Sequence, residues 1–177
     1  MKTDINKKFV MKLNIENIVD IDALNMTPYF EMEGLQFDKE KRNHGIISEI
    51  NNGAQITTVV ADNKIVAYFE FISIGSEICK ICSIQVHPDY QNKFVLRKLL
   101  KKTYYLIKES KHKIFLSATH ALNTKSIKFH KKIGFSITYQ DSNKVLFEIS
   151  AHDLKHKLVK FIYTSSSSDE SEYSRGL

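Results

Sequence analysis

The chain has 177 residues and a formal net charge of +6, with 42% apolar and 26% charged residues. This composition is ordinary for a single folded domain with one substantial core. No apolar run approaches the roughly 18 residues of a membrane span, and residues 1–20 lack the continuous apolar segment of a signal peptide. Because the chain also has only two cysteines, the sequence predicts a cytoplasmic protein without a membrane partner.

Residues 164–177 differ in composition from the rest of the chain. They are rich in Ser, Asp and Glu and carry a net charge of −2, which leaves +8 on residues 1–163. The sequence therefore predicts one domain over residues 1–163 and a disordered tail over residues 164–177. A basic domain suits anionic partners, which include a phosphate cluster, an acidic peptide and RNA.

The first half of the chain predicts one strand and two helices, followed by three consecutive strands. A strand is expected at residues 9–15, a short helix at 20–26 that stops near Pro28, a weaker helix at 37–50, and strands at 55–61, 64–74 and 78–86. Alternating β-branched and aromatic residues support the strands on either side of Asp62 and Asn63. These two residues suit a tight hairpin turn.

The second half alternates helices and strands. A helix is expected at residues 94–110, a strand at 113–119, a helix at 123–133, strands at 136–139 and 144–149, and a basic amphipathic helix at 151–162. Apolar positions recur at helical spacing in the first of these helices, and Gly134 is the residue type that commonly ends a helix. The element order predicts an α/β (α+β) fold, with a mixed, mostly antiparallel sheet of six to seven strands flanked by about four helices.

Cys79 and Cys82 have the C-x-x-C spacing of redox and zinc motifs. Both fall inside a predicted strand, where residues three apart project to opposite faces. No second Cys or His pair follows at zinc-finger spacing. The sequence therefore predicts two buried or half-buried strand cysteines and no metal.

The segment from Val86 to Leu100 reads VHPDYQNKFVLRKLL and joins a predicted strand to a predicted helix. A strand, a short polar loop and a helix in this order aim backbone N–H groups of the helix at an anion. The segment resembles the acyl-CoA-binding motif of the GNAT acetyltransferase superfamily, V-x-P-x-x-Q-x-x-G-x-G followed by a leucine-rich helix. Phe94 and Leu96 stand in place of the two glycines.

A second segment, residues 123–135 (NTKSIKFHKKIGF), resembles the other GNAT signature, N-x-x-A-x-x-F/L-Y-x-K-x-G-F. The matching residues are Asn123, Phe129, Lys132, Gly134 and Phe135. Ser126 replaces the motif alanine, and His130 replaces the motif tyrosine. The two motifs lie at the family's spacing and inside its element order, so the resemblance implies the GNAT fold over about residues 10–149.

The resemblance implies acetyl-CoA as co-substrate, with no metal. The residues that it places around CoA are Ile84, Val86, Gln91, Asn92, Lys93, Phe94, Val95, Leu96, Arg97, Asn123 and Phe129. In the family, the loop glycines let backbone amides approach the pyrophosphate, and a backbone N–H near Val86 polarises the thioester carbonyl. Side chains at positions 94 and 96 would crowd that approach, so we expect CoA binding to be weakened.

The resemblance also suggests groups for the chemistry. The family tyrosine protonates the leaving thiolate, which assigns this role to His130; the alternative is a surface histidine between lysines. His120, Glu70 and Glu77 are candidates for the general base, although each glutamate also suits a solvated strand position. The acceptor pocket is expected to draw on Met26, Tyr29, Phe30 and Tyr139, which could equally be ordinary core residues.

The function that follows is transfer of an acetyl group from acetyl-CoA to an amine of a small molecule, peptide or protein. Two alternatives stay open at this point. One is a degenerate GNAT fold that serves as a binding module, which the loss of the glycines and the tyrosine favours. The other is an RNA-directed acetyltransferase, which the basic face around Arg97 and Lys98 favours. A homodimer through strand edges or the last helix is compatible with the pattern.

Overall fold

A six-stranded sheet with helices on both faces forms the body of the computed structural model, which describes residues 14–163. The helices are α1 (Ile15–Met32), α2 (Lys39–Asn51), α3 (Lys93–Ile107), α4 (Thr124–Ile133) and α5 (Ala151–Tyr163). The strands are β1 (Gln55–Ala61), β2 (Lys64–Ser73), β3 (Ile78–Val86), β4 (Ile114–His120), β5 (Ser136–Gln140) and β6 (Lys144–Ser150), and a 3-10 turn spans Pro88–Tyr90. This is the mixed, mostly antiparallel architecture predicted from the sequence.

The strands lie in the order β1-β2-β3-β4-β6-β5, and within this sheet β3 and β4 are the parallel pair. Their pairing covers three residues on each strand, ending at Lys80 opposite Leu116. Beyond that point each strand continues without pairing to the other. A β-bulge in β3 lies just beyond the last residue that pairs with β4. Ser83 pairs with Glu70 of β2 and Ile81 pairs with Phe71, so Cys82 is the extra residue of the bulge. The centre of the sheet therefore opens into a V-shaped gap.

Two apolar cores cover the two faces of the sheet, because neighbouring β2 residues project to opposite sides. Phe69 belongs to the larger core, which includes Leu99 of α3 and Leu158 of α5. Tyr68 belongs to the smaller core, which includes Ile18 of α1 and Ile46 of α2. The α1–α2 face and the α3–α4–α5 face thus reach the V-shaped gap from opposite sides.

Local sequence signals are confirmed at several boundaries. Strands β1 and β3 have the predicted limits. Asp62 and Asn63 both adopt positive φ angles, of 50° and 59°, as a two-residue hairpin turn of the mirror-image type requires. Asn123 caps α4 and Gly134 ends it at φ 104°, in the left-handed region that favours glycine.

The two cysteines also lie as predicted. Cys79 is buried in the larger core, and Cys82 is half-buried on the other face. Burial raises the pKa of the Cys79 thiol to about 12 and that of the Cys82 thiol to about 11. Among residues 14–163 there is no group of three or more His, Cys, Asp or Glu side chains arranged to hold a metal ion.

The prediction for the first helix was wrong in length. The helix runs from Ile15 to Met32, and Pro28 lies inside it rather than ending it. Proline removes one intrahelical hydrogen bond, to the carbonyl of Leu24. Leu24 is 52% exposed, so the proline lies beside a solvent-facing position of the helix.

Most of the strand expected at residues 9–15 lies outside the described part, which begins at residue 14. Its last residue, Ile15, is the first residue of α1 and not the end of a strand. The predicted tail, residues 164–177, also lies outside the described part. Within residues 14–163, no helix combines the length and the apolar character needed to cross a membrane.

Candidate active site

A cavity of about 660 Å³ occupies the V-shaped gap and extends between α1 on one face and the starts of α3 and α4 on the other. The predicted residues that line it are Met26, Tyr29, Phe30, Ile84, Val86, Gln91, Asn92, Lys93, Leu96, His120, Asn123, Phe129 and His130. The structure therefore brings most of the predicted residues, from both motifs and from α1, to one cavity.

Other predicted residues do not line this cavity: Glu70, Glu77, Phe94, Val95, Arg97 and Tyr139. Phe94 is 64% exposed. Tyr139 is an exposed residue of β5 whose hydroxyl donates a hydrogen bond to Asp141. Glu77 forms an exposed ion pair with Lys113 at the start of β3. These three side chains have local partners or face solvent.

The first backbone N–H groups of α3 are already hydrogen-bonded to an N-cap side chain. The Asn92 side-chain oxygen accepts hydrogen bonds from the backbone N–H groups of Phe94 and Val95, both at 3.0 Å. The backbone at positions 94 and 96 is helical, with φ negative at both, so neither position needs a glycine for its conformation. An anion at this helix terminus must therefore compete with the Asn92 side chain, next to Leu96, which lines the cavity.

Polar side chains from three elements meet where β3 ends. The carbonyl oxygen of Val86 accepts a hydrogen bond from Asn25 of α1 at 3.1 Å and another from Gln91 at 3.3 Å. Lys125 of α4 donates a hydrogen bond to the Gln91 side-chain oxygen. Lys93 also lines the cavity. The two lysines make this end of the cavity positively charged.

His130 is 4% exposed and stacks on Phe147, with ring centroids 4.4 Å apart. Its Nδ1 lies 2.8 Å from the Ser126 carbonyl oxygen, which can only accept, so Nδ1 carries the proton. Its Nε2 lies 2.9 Å from the Ser117 hydroxyl. Burial lowers the pKa of His130, partly offset by the hydrogen bond to Ser126. The neutral ring therefore directs its lone pair at Ser117.

His120 lies at the end of β4, on the opposite face of the sheet from His130. Its Nε2 is 2.7 Å from a Glu33 carboxylate oxygen, and its Nδ1 accepts a hydrogen bond from the backbone of Leu122 at 3.1 Å. The ring is tilted against Tyr29, with centroids 5.5 Å apart. Because Nδ1 accepts, Nε2 carries the ring proton and donates it to Glu33, and this carboxylate orients the imidazole at the cavity wall.

The Arg42 guanidinium contacts four acidic or phenolic side chains on the α1–α2 face of the sheet. It contacts Asp22 at 2.6 Å, Glu49 at 3.0 Å and Glu70 at 2.9 Å, and Tyr68 at 3.4 Å. We call these five residues the Arg42 network. Asp22 and Arg42 line the cavity, whereas Glu70 is fully buried and reaches the cavity only through Arg42.

Burial raises the pKa values of two carboxylic acids of the Arg42 network, Asp22 and Glu70. Glu70 is raised to about 7, because burial and the neighbouring Glu49 together outweigh the attraction of Arg42. The pKa of Asp22 is raised by burial, against the lowering effect of Arg42 and Tyr68. With three carboxyl groups on one guanidinium, the network is net negative whenever Glu70 is ionised.

Sequence reasoning missed Asp22, Arg42 and Ser117. Asp22 could have been noticed, because it follows Ile18 by four residues and thus occupies an apolar position of the α1 pattern. Arg42 and Ser117 carry no such signal: one lies in a polar helix and the other in an apolar strand. Their roles depend on partners far away in the sequence.

Comparisons with known proteins agree with this geometry. The model of the acetyltransferase (GNAT) family matches residues 18–135. A GNAT-family acetyltransferase from Staphylococcus aureus Mu50 has a TM-score of 0.63 at 16% sequence identity, covering 77% of this chain and 92% of its own. The PaiA N-acetyltransferase from Thermoplasma acidophilum, solved with coenzyme A, has a TM-score of 0.59 at 15% identity, covering 77% and 93%.

A GNAT-family acetyltransferase from Elizabethkingia anophelis, solved with acetyl-CoA bound, has a TM-score of 0.52 at 17% identity, covering 60% of this chain and 82% of its own. At these identities the likeness establishes the fold. None of the curated proteins matches the sequence. Because the family model spans more than half of the chain and both GNAT motifs line one cavity, this chain belongs to the GNAT acetyltransferase family.

Proposed function

We propose that this protein transfers an acetyl group from acetyl-CoA to a primary amine that is cationic in solution. Membership of the GNAT family indicates N-acetyltransferase activity with acetyl-CoA as co-substrate. The observation that carries the proposal is the cavity in the V-shaped gap, with a basic helix start at one end and an acidic, aromatic wall at the other.

The CoA half of the cavity is proposed to lie on the α3–α4 side. There the pyrophosphate would meet the start of α3, where Lys93 and Lys125 supply positive charge. The pantetheine arm would run into the V-shaped gap beside Ile84 and Val86 of β3. Because β3 has no β4 partner at these residues, backbone groups of this strand can pair with the ligand.

The amine half is proposed to lie on the α1–α2 side. Phe30 and Phe37 pack edge to face, with centroids 5.5 Å apart, and both line the cavity with Tyr29 and Met26. Aromatic faces and net negative charge both attract an ammonium group. Once bound, the amine must lose a proton before it attacks. His120 is the candidate proton acceptor: Nδ1 would release the Leu122 N–H to take the proton, while Nε2 stays bonded to Glu33.

The first test is thermal denaturation of the protein with increasing acetyl-CoA, with ATP as a matched polyanion. Ligand at 100 times its Kd stabilises the folded state by about 2.7 kcal/mol, which raises Tm by several degrees for a domain of this size. A shift specific to acetyl-CoA justifies an amine panel in which CoA thiol release is followed. We expect alkyl diamines to react faster than neutral amides or amino acids with a free carboxylate.

No shift at millimolar acetyl-CoA would contradict the proposal and favour the degenerate binding module. A shift without thiol release for any amine would keep CoA binding and reject the acceptor class. The experiment therefore tests acetyl-CoA binding and the class of amine acceptor independently.

Phe94 and Leu96, which replace the two motif glycines at the start of α3, should affect acetyl-CoA binding differently. Leu96 lines the cavity, whereas Phe94 is 64% exposed, so Leu96→Ala should strengthen acetyl-CoA binding and Phe94→Ala should not. If the smaller side chain allows one more hydrogen bond to a charged phosphate, the gain is about 1.5 kcal/mol, or roughly tenfold in Kd. Alanine maintains the helix in both variants. Isothermal titration calorimetry measures both Kd values, and equal values for the two variants would contradict the assignment to Leu96.

A further inference from the structure

We propose that Ser83, Tyr68 and Asp22 form a hydrogen-bonded relay that carries a proton from the ammonium group of the bound acceptor to the Asp22 carboxylate. The relay rests on the proposed function, because it needs a cationic amine in the cavity. It gives that amine a route for proton loss that leaves the hydrogen bond between Leu122 and His120 intact. Ser83 would touch the substrate, and the other two residues would act through it.

The relay begins at Ser83, which lines the cavity next to Ile84. Ser83 pairs with Glu70 of β2, and Tyr68 lies two residues before Glu70 on the same face of that strand. This is the α1–α2 face, because Tyr68 belongs to the smaller core with Ile18. The relay is therefore on the side of the sheet where the amine is proposed to bind.

The hydrogen bonds of the relay run in one direction. The Tyr68 hydroxyl donates its single proton to Oδ1 of Asp22. The same hydroxyl lies 2.8 Å from the Ser83 hydroxyl, which must then be the donor in that pair. The Ser83 oxygen keeps its lone pairs for a donor in the cavity. A proton that enters at Ser83 can therefore shift each hydroxyl proton one place toward Asp22.

Asp22 is built into the protein at the far end of the relay. Its Oδ1 accepts a hydrogen bond from Tyr68, and its Oδ2 accepts one from Arg42 at 2.6 Å. The residue as a whole is 3% exposed. An ammonium group in the cavity thus reaches this carboxylate more readily through the hydroxyl chain than by direct contact.

The charges around Asp22 leave it able to bind a proton. The titratable groups that surround it come from α2, β2 and β3, and they are Arg42, Glu49, Tyr68, Glu70 and Cys82. Burial raises the pKa of Asp22 most strongly, Arg42 lowers it, and Glu49 raises it further. Because the Arg42 guanidinium is shared with Glu49 and Glu70, its positive charge is not reserved for Asp22.

The step balances in protons and electrons. The ammonium group gives a proton to the Ser83 oxygen, whose own proton passes to Tyr68 while the Tyr68 proton passes to Asp22. The neutral nitrogen attacks the thioester carbon, and the carbon–sulfur bond breaks with its electron pair on sulfur. The thiolate takes a further proton from the nitrogen and leaves as CoA thiol. Asp22 returns its proton to water along the same chain once the products have left.

The experiment measures kcat/KM between pH 7 and pH 9 for the alkyl diamine that reacts fastest in the amine panel. The wild-type chain uses the ammonium form, so its kcat/KM should stay nearly constant. Tyr68→Phe keeps the ring but interrupts the chain of hydroxyls, so this variant depends on amine that is already neutral in solution. Its kcat/KM should be about a hundredfold lower at pH 7. It should then rise about tenfold for each pH unit, because alkyl ammonium groups lose their proton near pH 10.

Two further variants interrupt the same chain. Ser83→Ala removes its entry, and Asp22→Asn still accepts a hydrogen bond from Tyr68 but cannot take up a proton. Both should show the rising profile, and combining either with Tyr68→Phe should cause no additional loss. Tyr139→Phe is the matched control, because Tyr139 also donates to an aspartate, Asp141, at 2.8 Å, but lies outside the cavity. It should keep the wild-type profile. The Tm shift with acetyl-CoA checks that each variant is folded.

Each result decides the inference. A rising profile for Tyr68→Phe, with a flat one for Tyr139→Phe, supports the relay. A loss in Tyr68→Phe that is equal at pH 7 and pH 9, as a merely structural role predicts, overturns the relay and leaves the proposed function intact. A rising profile in His120→Gln but not in Tyr68→Phe also overturns it and assigns the proton to His120. Absence of thiol release by the wild-type chain with every amine overturns both the relay and the proposed acceptor class.

Discussion

Replacing Arg42 with methionine should lower the free energy of unfolding by about 3–5 kcal/mol at pH 8, the loss typical of removing one partner of a buried ion pair. Arg42 forms ion pairs with Asp22, Glu49 and Glu70, of which Asp22 is 3% exposed and Glu70 is fully buried. Without the guanidinium these carboxyl groups stay buried beside one another. They can then avoid their charge only by binding protons, so the loss should be smaller at pH 5. Urea unfolding at the two pH values measures both effects.

Lys39→Met is the matched control for Arg42→Met. Lys39 lies in the same helix, and it also bonds to an aspartate of α1, Asp20, at 2.8 Å. Both of those side chains are more than half exposed, so their pair should contribute less than about 1 kcal/mol. A loss below 1 kcal/mol in Arg42→Met, or equal losses in the two variants, would show that the Arg42 network does not hold α2 to the sheet.

The parts of the fold that could be predicted are those whose cause is local. The two-residue turn at Asp62 and Asn63, the cap at Asn123 and the stop at Gly134 each depend on the conformational preference of one or two residues. The two motifs combine such local signals at fixed spacing, which is why the strand β3, the start of α3 and the helix α4 could be placed from the sequence.

The cavity could be predicted as a location but not as a chemical environment. Its motif residues lie within short segments, whereas the Arg42 network joins α1, α2 and β2 across 20 to 46 positions. Hydrophobic periodicity does not report such long-range polar contacts, and each member taken alone suits an exposed helix or strand position. The same limit explains Ser117, whose partner His130 lies 13 residues later on another element.

These two polar groups divide the cavity between the two faces of the sheet. Ser117 and His130 belong to the face of α3 and α4, and the Arg42 network belongs to the face of α1 and α2. The V-shaped gap between β3 and β4 connects the two faces of the sheet. A thioester from one side and an amine from the other can therefore meet without crossing a continuous sheet.

Glu70 should lower the stability of the wild-type chain as pH rises from about 4.5 to 7, and Glu70→Gln should remove this contribution. The pKa of Glu70 is raised from 4.5 to about 7, chiefly by burial. Between these values the folded chain keeps a proton that the unfolded chain has released, so the free energy of unfolding falls as pH rises. For a fully buried group with this difference in pKa, the change is on the order of 2–3 kcal/mol. Glutamine has no proton to release, and it can still accept a hydrogen bond from Arg42.

Urea unfolding of both chains at pH 5 and pH 8 tests the pH prediction. The stability difference between wild type and Glu70→Gln should shift in favour of the variant by on the order of 2 kcal/mol at the higher pH. Glu148→Gln, an exposed change on β6, should follow the wild-type profile. Parallel profiles for wild type and Glu70→Gln would mean that Glu70 is ionised throughout this range. Arg42 would then be balanced by three charges rather than two, and the acidic wall of the cavity would not gain charge between pH 5 and pH 8.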